Sequence, residues 1–535
     1  MKRLYPYIAI FVVAGAGLAL TSWNFLAGPS AHFHFIDLAE SFMAGRLDTD
    51  TPLLKKGQKD LPGDPPGLQA AVDRQMASGG WNDWVSYFSA VLKSGESFDG
   101  VWPWKNRKPG QKGHDLAARF VTLSGDWVEF DRFKDIRDVC VGPPEGADRT
   151  AWENRDRFDA ERDACAQAGA GTAGPCGRGE RRVSCQTRKY FVSFPPFPAI
   201  LMMPFVALWH YDFNDVVFTL LFAALNAALL FALFRRLRIL GYSVRRDRDL
   251  VLLTLLFTFG TVSFFSSVRG EVWYTALILG VTLEVLYLYF ATDLRSPFLA
   301  GLFLVLGFAT RTPVLFAASY FVLLVVLQKQ PWDGRGLLLR VRQMALFALP
   351  CAVVGAALMG FNAARFGNPF EFGHKYLLDG TRDAIVDYGM FSFWFLPRNL
   401  ASAFTNVPQF ISEYPYVKIT GHGISLLATT PVLFYLLWPR KASVDAASAP
   451  KYRLSLHTIL WISVACTAAP GLLYQNSGWF QFGYRFALDY LPMLFLLLAV
   501  DERKHSRLFY ALVAVSVAVN LFGAVTFGRM SAFYY

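Results

Sequence analysis

Apolar runs of roughly 15–23 residues recur along the whole chain, the length at which a helix crosses the hydrocarbon core of a bilayer. A chain with many such runs has lipid as its main solvent and folds as an α-helical polytopic membrane protein. Composition agrees. Of 535 residues, 54% are hydrophobic and 17% charged, where a soluble domain carries about 25% charged residues. This excludes a disordered chain and an ordinary cytosolic enzyme. The net charge of +11 raises the question of nucleic acid, but the distribution of charge along the chain explains it better, and no nucleic-acid partner is expected.

Eleven spans are expected, near residues 5–27, 213–235, 249–267, 272–291, 297–310, 313–328, 343–363, 423–438, 456–473, 487–500 and 507–527. The loops this parity puts inside hold 20 Lys and Arg against 7 Asp and Glu, leaving 32 against 34 for the rest. Basic residues gather on the cytoplasmic side, so the N-terminus reads as cytoplasmic. The large loop and the C-terminus then fall outside. Gly28-Pro29-Ser30-Ala31 resembles a signal cleavage site, but the preceding run exceeds a usual signal core and is read as a retained span. Its Ala14, Gly15, Ala16, Gly17 and Ala19 suit close helix packing.

The expected organisation is a first transmembrane helix (1–27), an extracytoplasmic domain of mixed short elements (28–212), helices 2–7 (213–363), an outer loop (364–422) and helices 8–11 (423–535). The apolar stretch at about 195–209 is too short and too proline-broken to cross, and reads as interfacial or re-entrant. Cys140, Cys165, Cys176 and Cys185 crowd into the polar domain without a CxxC, which favours two disulfides over zinc. Their pairing stays open. Cys351 and Cys466 lie in apolar runs and read as core residues.

Soluble-enzyme signatures are absent: no GxxxxGK[ST], no HExxH and no GxGxxG after a strand. Within the spans the clearest ionisable residue is Glu284, a functional candidate by default, or else a snorkelling or hydrogen-bonded acid. The other polar candidates gather at the outer face. After the first span, a helix over His32–Leu47 would set His34, Asp37 and Ser41 on one face beside an apolar face of Phe35, Leu38 and Phe42. Such a helix suits the outer leaflet, with Gly45 near its C-terminus. Asp37 there is a candidate general base, and a plain juxtamembrane helix is the alternative. Arg269, Glu271, Arg311, Arg365, His374, Arg398, His422, Arg485 and Asp489 also fall outside. Guanidinium groups at that boundary suit a phosphate ester. Arg269–Glu271 and Arg485–Asp489 are close enough in sequence to ion-pair instead.

The segment Ala39-Glu40-Ser41-Phe42-Met43-Ala44-Gly45-Arg46-Leu47 after the first span resembles a known family. So does Lys189-Tyr190-Phe191-Val192-Ser193-Phe194-Pro195-Pro196-Phe197-Pro198-Ala199 before the second span. Thr310-Arg311-Thr312-Pro313, Arg365 to His374 and Gly483-Tyr484-Arg485-Phe486 add to the likeness. Together they resemble the GT-C superfamily of membrane glycosyltransferases, near the bacterial relatives of protein O-mannosyltransferases and aminoarabinose transferases. About 48–185 falls outside the resemblance.

The resemblance implies a GT-C-like fold and an inverting transfer on the extracytoplasmic face of a bacterial inner membrane. The donor is a polyprenyl-(pyro)phosphate sugar, and the acceptor a glycan, lipid or protein. An acid in the first outer loop acts as base, and basic residues hold the leaving phosphate. Asp37, His34 and His32 are the catalytic candidates. Arg269, Arg311, Arg485 and His374 are the donor-phosphate candidates, with Glu271, Lys189, Tyr190 and His422 as acceptor or supporting residues. Such enzymes usually carry an acid immediately after the first span, where this chain has Ser30-Ala31-His32-Phe33-His34. No metal-ligand set is assigned, and a divalent cation stays open. A transporter or lipid flippase is the first alternative, and a non-catalytic assembly factor acting through 28–196 the second.

Overall fold

The computed structural model describes residues 4–54, 56–60, 63–79, 83–92, 97–101, 119–129, 183–377, 383–438, 451–501 and 503–535. Among the described residues, six helical segments are long and apolar enough to cross a membrane: Tyr5–Ala27, Asp215–Ile239, Val272–Leu294, Gly334–Phe366, Leu456–Leu473 and Arg507–Thr526. Helical structure occurs at the other five expected spans too, but it is short or broken. The stretch at 423–438 forms three pieces, Leu426–Thr429, Pro431–Leu433 and Phe434–Leu437, because Pro431 has no amide hydrogen to continue a helix. The stretch at 249–267 divides at Gly260 into Asp247–Phe259 and Ser263–Ser267, and that at 487–500 keeps ten α-helical residues, Leu491–Val500. Pro297–Phe308 and Thr312–Val326 are shorter apolar helices that meet at Arg311.

The Val272–Ala291 helix forms the axis of the bundle and is the most buried of the six. Helix α1 (Tyr5–Ser22) lies at the edge. A Cβ at Gly17 would sit 2.7 Å from the Phe259 ring, so only glycine allows that approach. The Gly334–Phe366 helix is 33 residues long, and only 11% of its most apolar window is buried. It presents most of its surface outward.

A domain outside the helix bundle is built, among the described residues, on a five-stranded antiparallel sheet in the order β4-β3-β2-β1-β5. The strands are β1 Trp84–Leu92, β2 Ser97–Val101, β3 Arg119–Thr122, β4 Trp127–Glu129 and β5 Val183–Val192. Strand β5 returns to pair with β1 from Trp84↔Val192 onward. A shared apolar core joins this sheet, helix α2 (His34–Met43), the Phe197–Trp209 helix and the N-terminal half of Val272–Ala291, through Phe33, Ile36, Trp84, Met202 and Leu279. The expected disulfides lie outside the described residues at Cys140, Cys165 and Cys176. For Cys185 only the strand backbone is described. Cys351 and Cys466 are free.

Candidate active site

Helix α2 ends where the sequence says it should. Gly45 is left-handed (φ +71°), the Gly45 amide donates to the Phe42 carbonyl and the Arg46 amide to that of Ser41, the paired bonds of a Schellman end. Its surroundings differ from expectation. The helix does not lie on a leaflet with a polar face outward: His34, Phe35, Ile36, Asp37, Leu38, Ala39 and Ser41 are all buried. The outer domain and the Phe197–Trp209 helix cover both faces, which a single-helix pattern does not reveal.

Asp37 is 1% exposed and accepts four hydrogen bonds. Thr49 Oγ1 (2.9 Å), Thr51 Oγ1 (2.5 Å) and the Tyr211 hydroxyl (2.8 Å) donate to Oδ1, and Trp84 Nε1 (2.8 Å) donates to Oδ2. Burial pushes its carboxyl above the usual range, and the four donors pull it back. The carboxylate thus ties α2 to the 49–51 segment, the start of β1 and the turn at 210–212. One turn on, Glu40 meets His210 Nδ1 at 2.8 Å.

His34 stacks on Trp84 (4.0 Å between centroids) and meets Phe194 edge-on at 5.9 Å. Neither ring nitrogen has a hydrogen-bond partner, and burial pushes the ring down to about 3, so it is neutral. His32 packs on Trp273 at 4.5 Å, and burial lowers it as well.

The arginines divide into separate settings. Arg269 pairs with Glu271 and donates to the Phe527 carbonyl at 2.9 Å. Arg485 is buried, with its guanidinium 5.2 Å from the Tyr274 ring that Arg269 also faces at 5.7 Å. The first turn of Val272–Ala291 therefore gathers His32, Arg269, Glu271 and Arg485. Arg311 is elsewhere. It grips Asp489 with Nε–Oδ1 2.5 Å and Nη2–Oδ2 2.7 Å, so Asp489 pairs with Arg311 rather than with Arg485 four residues before it. Asp37 joins neither group.

The supporting candidates are dispersed. Lys189 is exposed, its Nζ 5.8 Å from the Tyr87 ring. The Tyr190 hydroxyl accepts from Arg188 Nη1 at 2.9 Å. His374 opens the short His374–Tyr376 turn below the sheet. His422 Nδ1 lies 2.6 Å from Ser477 Oγ, and burial lowers its ring. Among the described residues there is no group of three or more His, Cys, Asp or Glu placed to hold a metal ion.

A cleft opens where the outer domain meets the bundle. It is narrow, about 10 Å³ in volume, and is lined by Ser193, Phe194, Pro196, Phe308, Asn362 and Arg365, among others. Arg365 is 3% exposed and stands in the last turn of Gly334–Phe366, just before Gly367 ends the helix in the left-handed region. Its Nη1 donates to the Val192 carbonyl (3.0 Å) and its Nη2 to Asn362 Oδ1 (2.9 Å), with Phe361 stacked at 3.8 Å. Nε has no partner, and among the described residues no carboxylate touches this guanidinium, although the charge of Glu371 reaches it. Phe194 connects this cleft to His34. The sequence marks Arg365 only as one of many outer arginines. Trp84 and Tyr211, which hold Asp37, carry no signal that distinguishes them from ordinary core aromatics.

No known protein family, no curated protein and no solved structure matches this chain.

Proposed function

We propose that the chain is a membrane glycosyltransferase of GT-C type. It moves a sugar from a polyprenyl-(pyro)phosphate carrier to an acceptor on the periplasmic face of a bacterial inner membrane, with eleven crossings and a cytoplasmic N-terminus. The observation that carries this reading is the Arg365 cleft. A buried guanidinium without a carboxylate partner stands at the junction of an outer domain and the outward-facing Gly334–Phe366 helix. A phosphate there would meet a forked, charge-assisted donor, with the polyprenyl tail along the apolar helix. In the transfer, the anomeric carbon–oxygen bond to phosphate breaks and the electron pair leaves on phosphate. The acceptor oxygen bonds to the anomeric carbon from the opposite face. Its proton passes to a base, for which His34 is the candidate, behind Phe194 and with both nitrogens free. Asp37 is a positioning residue that holds Trp84 against His34.

The test is transfer by the full chain in proteoliposomes, with a panel of polyprenyl-phosphate and polyprenyl-pyrophosphate sugars and labelled donor. Wild type consumes one donor. Arg365→Ala lowers the rate roughly 100-fold or more, in line with losing a charge-stabilising donor, and Arg365→Lys recovers part of it. A folded wild type that neither binds nor consumes any donor ends this reading.

A further inference from the structure

Glu284 lies twelve residues into the Val272–Ala291 helix, about 18 Å from its outer end at 1.5 Å per residue. It is fully buried, and neither carboxyl oxygen has a hydrogen-bond partner. One turn before it on the same helix face is Gly280, which leaves room for the Arg311 chain: a Cβ there would sit 3.1 Å from Arg311 Cδ. Arg311 is in turn clamped on Asp489. The charge of Asp489 is felt at Glu284, and no cationic group offsets it. The hydroxyls of Tyr484 and Tyr490, both buried beside Asp489, also lack partners. Tyr287, on the next turn, is satisfied by the Ala317 carbonyl at 2.8 Å.

With Glu284 ionised, the cluster sets two carboxylates against one guanidinium and is one positive charge short. An uncompensated charge in a low-dielectric core is strongly disfavoured. The group set also names its ligand. One unpaired carboxylate beside a matched Arg311–Asp489 pair balances a single positive charge, whereas divalent ions are held by more oxygen ligands, several of them carboxylates. We propose that Glu284, beside the Arg311–Asp489 pair, forms a binding site for one monovalent cation, a proton or an alkali ion, in the core of the bundle. This does not rest on the transferase reading.

The experiment uses the full chain in lipid vesicles. Thermal unfolding is followed while sodium or potassium replaces choline at constant ionic strength. Modification of Glu284 by dicyclohexylcarbodiimide, which adds to a protonated carboxyl, is read in parallel by peptide mass. An alkali-ion site gives a melting temperature that rises with one of these ions, since a ligand of the folded state stabilises it by mass action. The same ion then protects Glu284 from the reagent, and Glu284→Gln abolishes the dependence. A proton site gives no alkali-ion dependence but specific modification of Glu284 that fades as pH rises, with Glu284→Gln unmodified. Folded wild type showing neither ion-dependent stabilisation nor modification at Glu284 overturns the proposal. The labelling arm needs no variant, so it decides the matter even if Glu284→Gln does not fold.

Discussion

Asp37 and Glu284 are both carboxyls removed from water, yet they are built oppositely. Asp37 receives four donors from three separate parts of the outer domain. Glu284 receives none and faces another carboxylate. A satisfied buried acid holds structure together, because each donor would otherwise be stranded. An unsatisfied one is a cost that the fold carries for some other purpose. The comparison therefore sets an acid that ties the outer domain together against one left without a partner in the bundle core.

The largest effect expected concerns the inner cluster. Arg311→Met leaves Asp489 and Glu284 facing each other without a cation, at a cost of about 3–5 kcal/mol. It should reduce the recovery of monodisperse protein sharply, and unchanged thermal stability would show that the cluster is compensated in some other way. Next comes Asp37→Asn. The amide keeps one acceptor but turns a donor toward a Thr hydroxyl, Tyr211 or Trp84, at a cost of roughly 1–3 kcal/mol. Thermal unfolding of the folded variant checks this, and a loss well below that range would break the contrast with Glu284.

The most gradual effect, small over any one pH unit, is a pH slope. His34 is held neutral, pushed down to about 3 from an ordinary 6.5. The unfolded chain therefore binds the proton first, and stability attributable to His34 falls as pH drops from about 6.5 toward 3. One such group supports at most about 1.4 kcal/mol per pH unit. Melting temperature should fall more steeply with acid in wild type than in His34→Phe, and parallel curves would place the ring in a wetter setting. His32, lowered in the same direction, remains in both proteins.

Much of this architecture is legible residue by residue. The apolar runs announce the six long helices, and Gly45 announces the end of α2. Pro204 and the proline-rich approach mark Phe197–Trp209 as a helix too short to cross. Partner choice is not legible. Asp489 lies four residues from Arg485, the spacing of a helical ion pair, but 485–489 forms a 3-10 turn and Arg311 reaches Asp489 from another hairpin. The outer arginines look alike in sequence, although Arg269 and Arg311 are in direct contact with acids and Arg365 feels Glu371 only at longer range.

By itself the sequence determined the solvent, the helical class and the approximate limits of the membrane-seeking segments, because hydrophobic length and charge placement act locally along the chain. The tertiary structure decided which buried charges are answered. That depends on which side chains distant segments bring within about 3 Å of each other, and local pattern carries no record of those encounters.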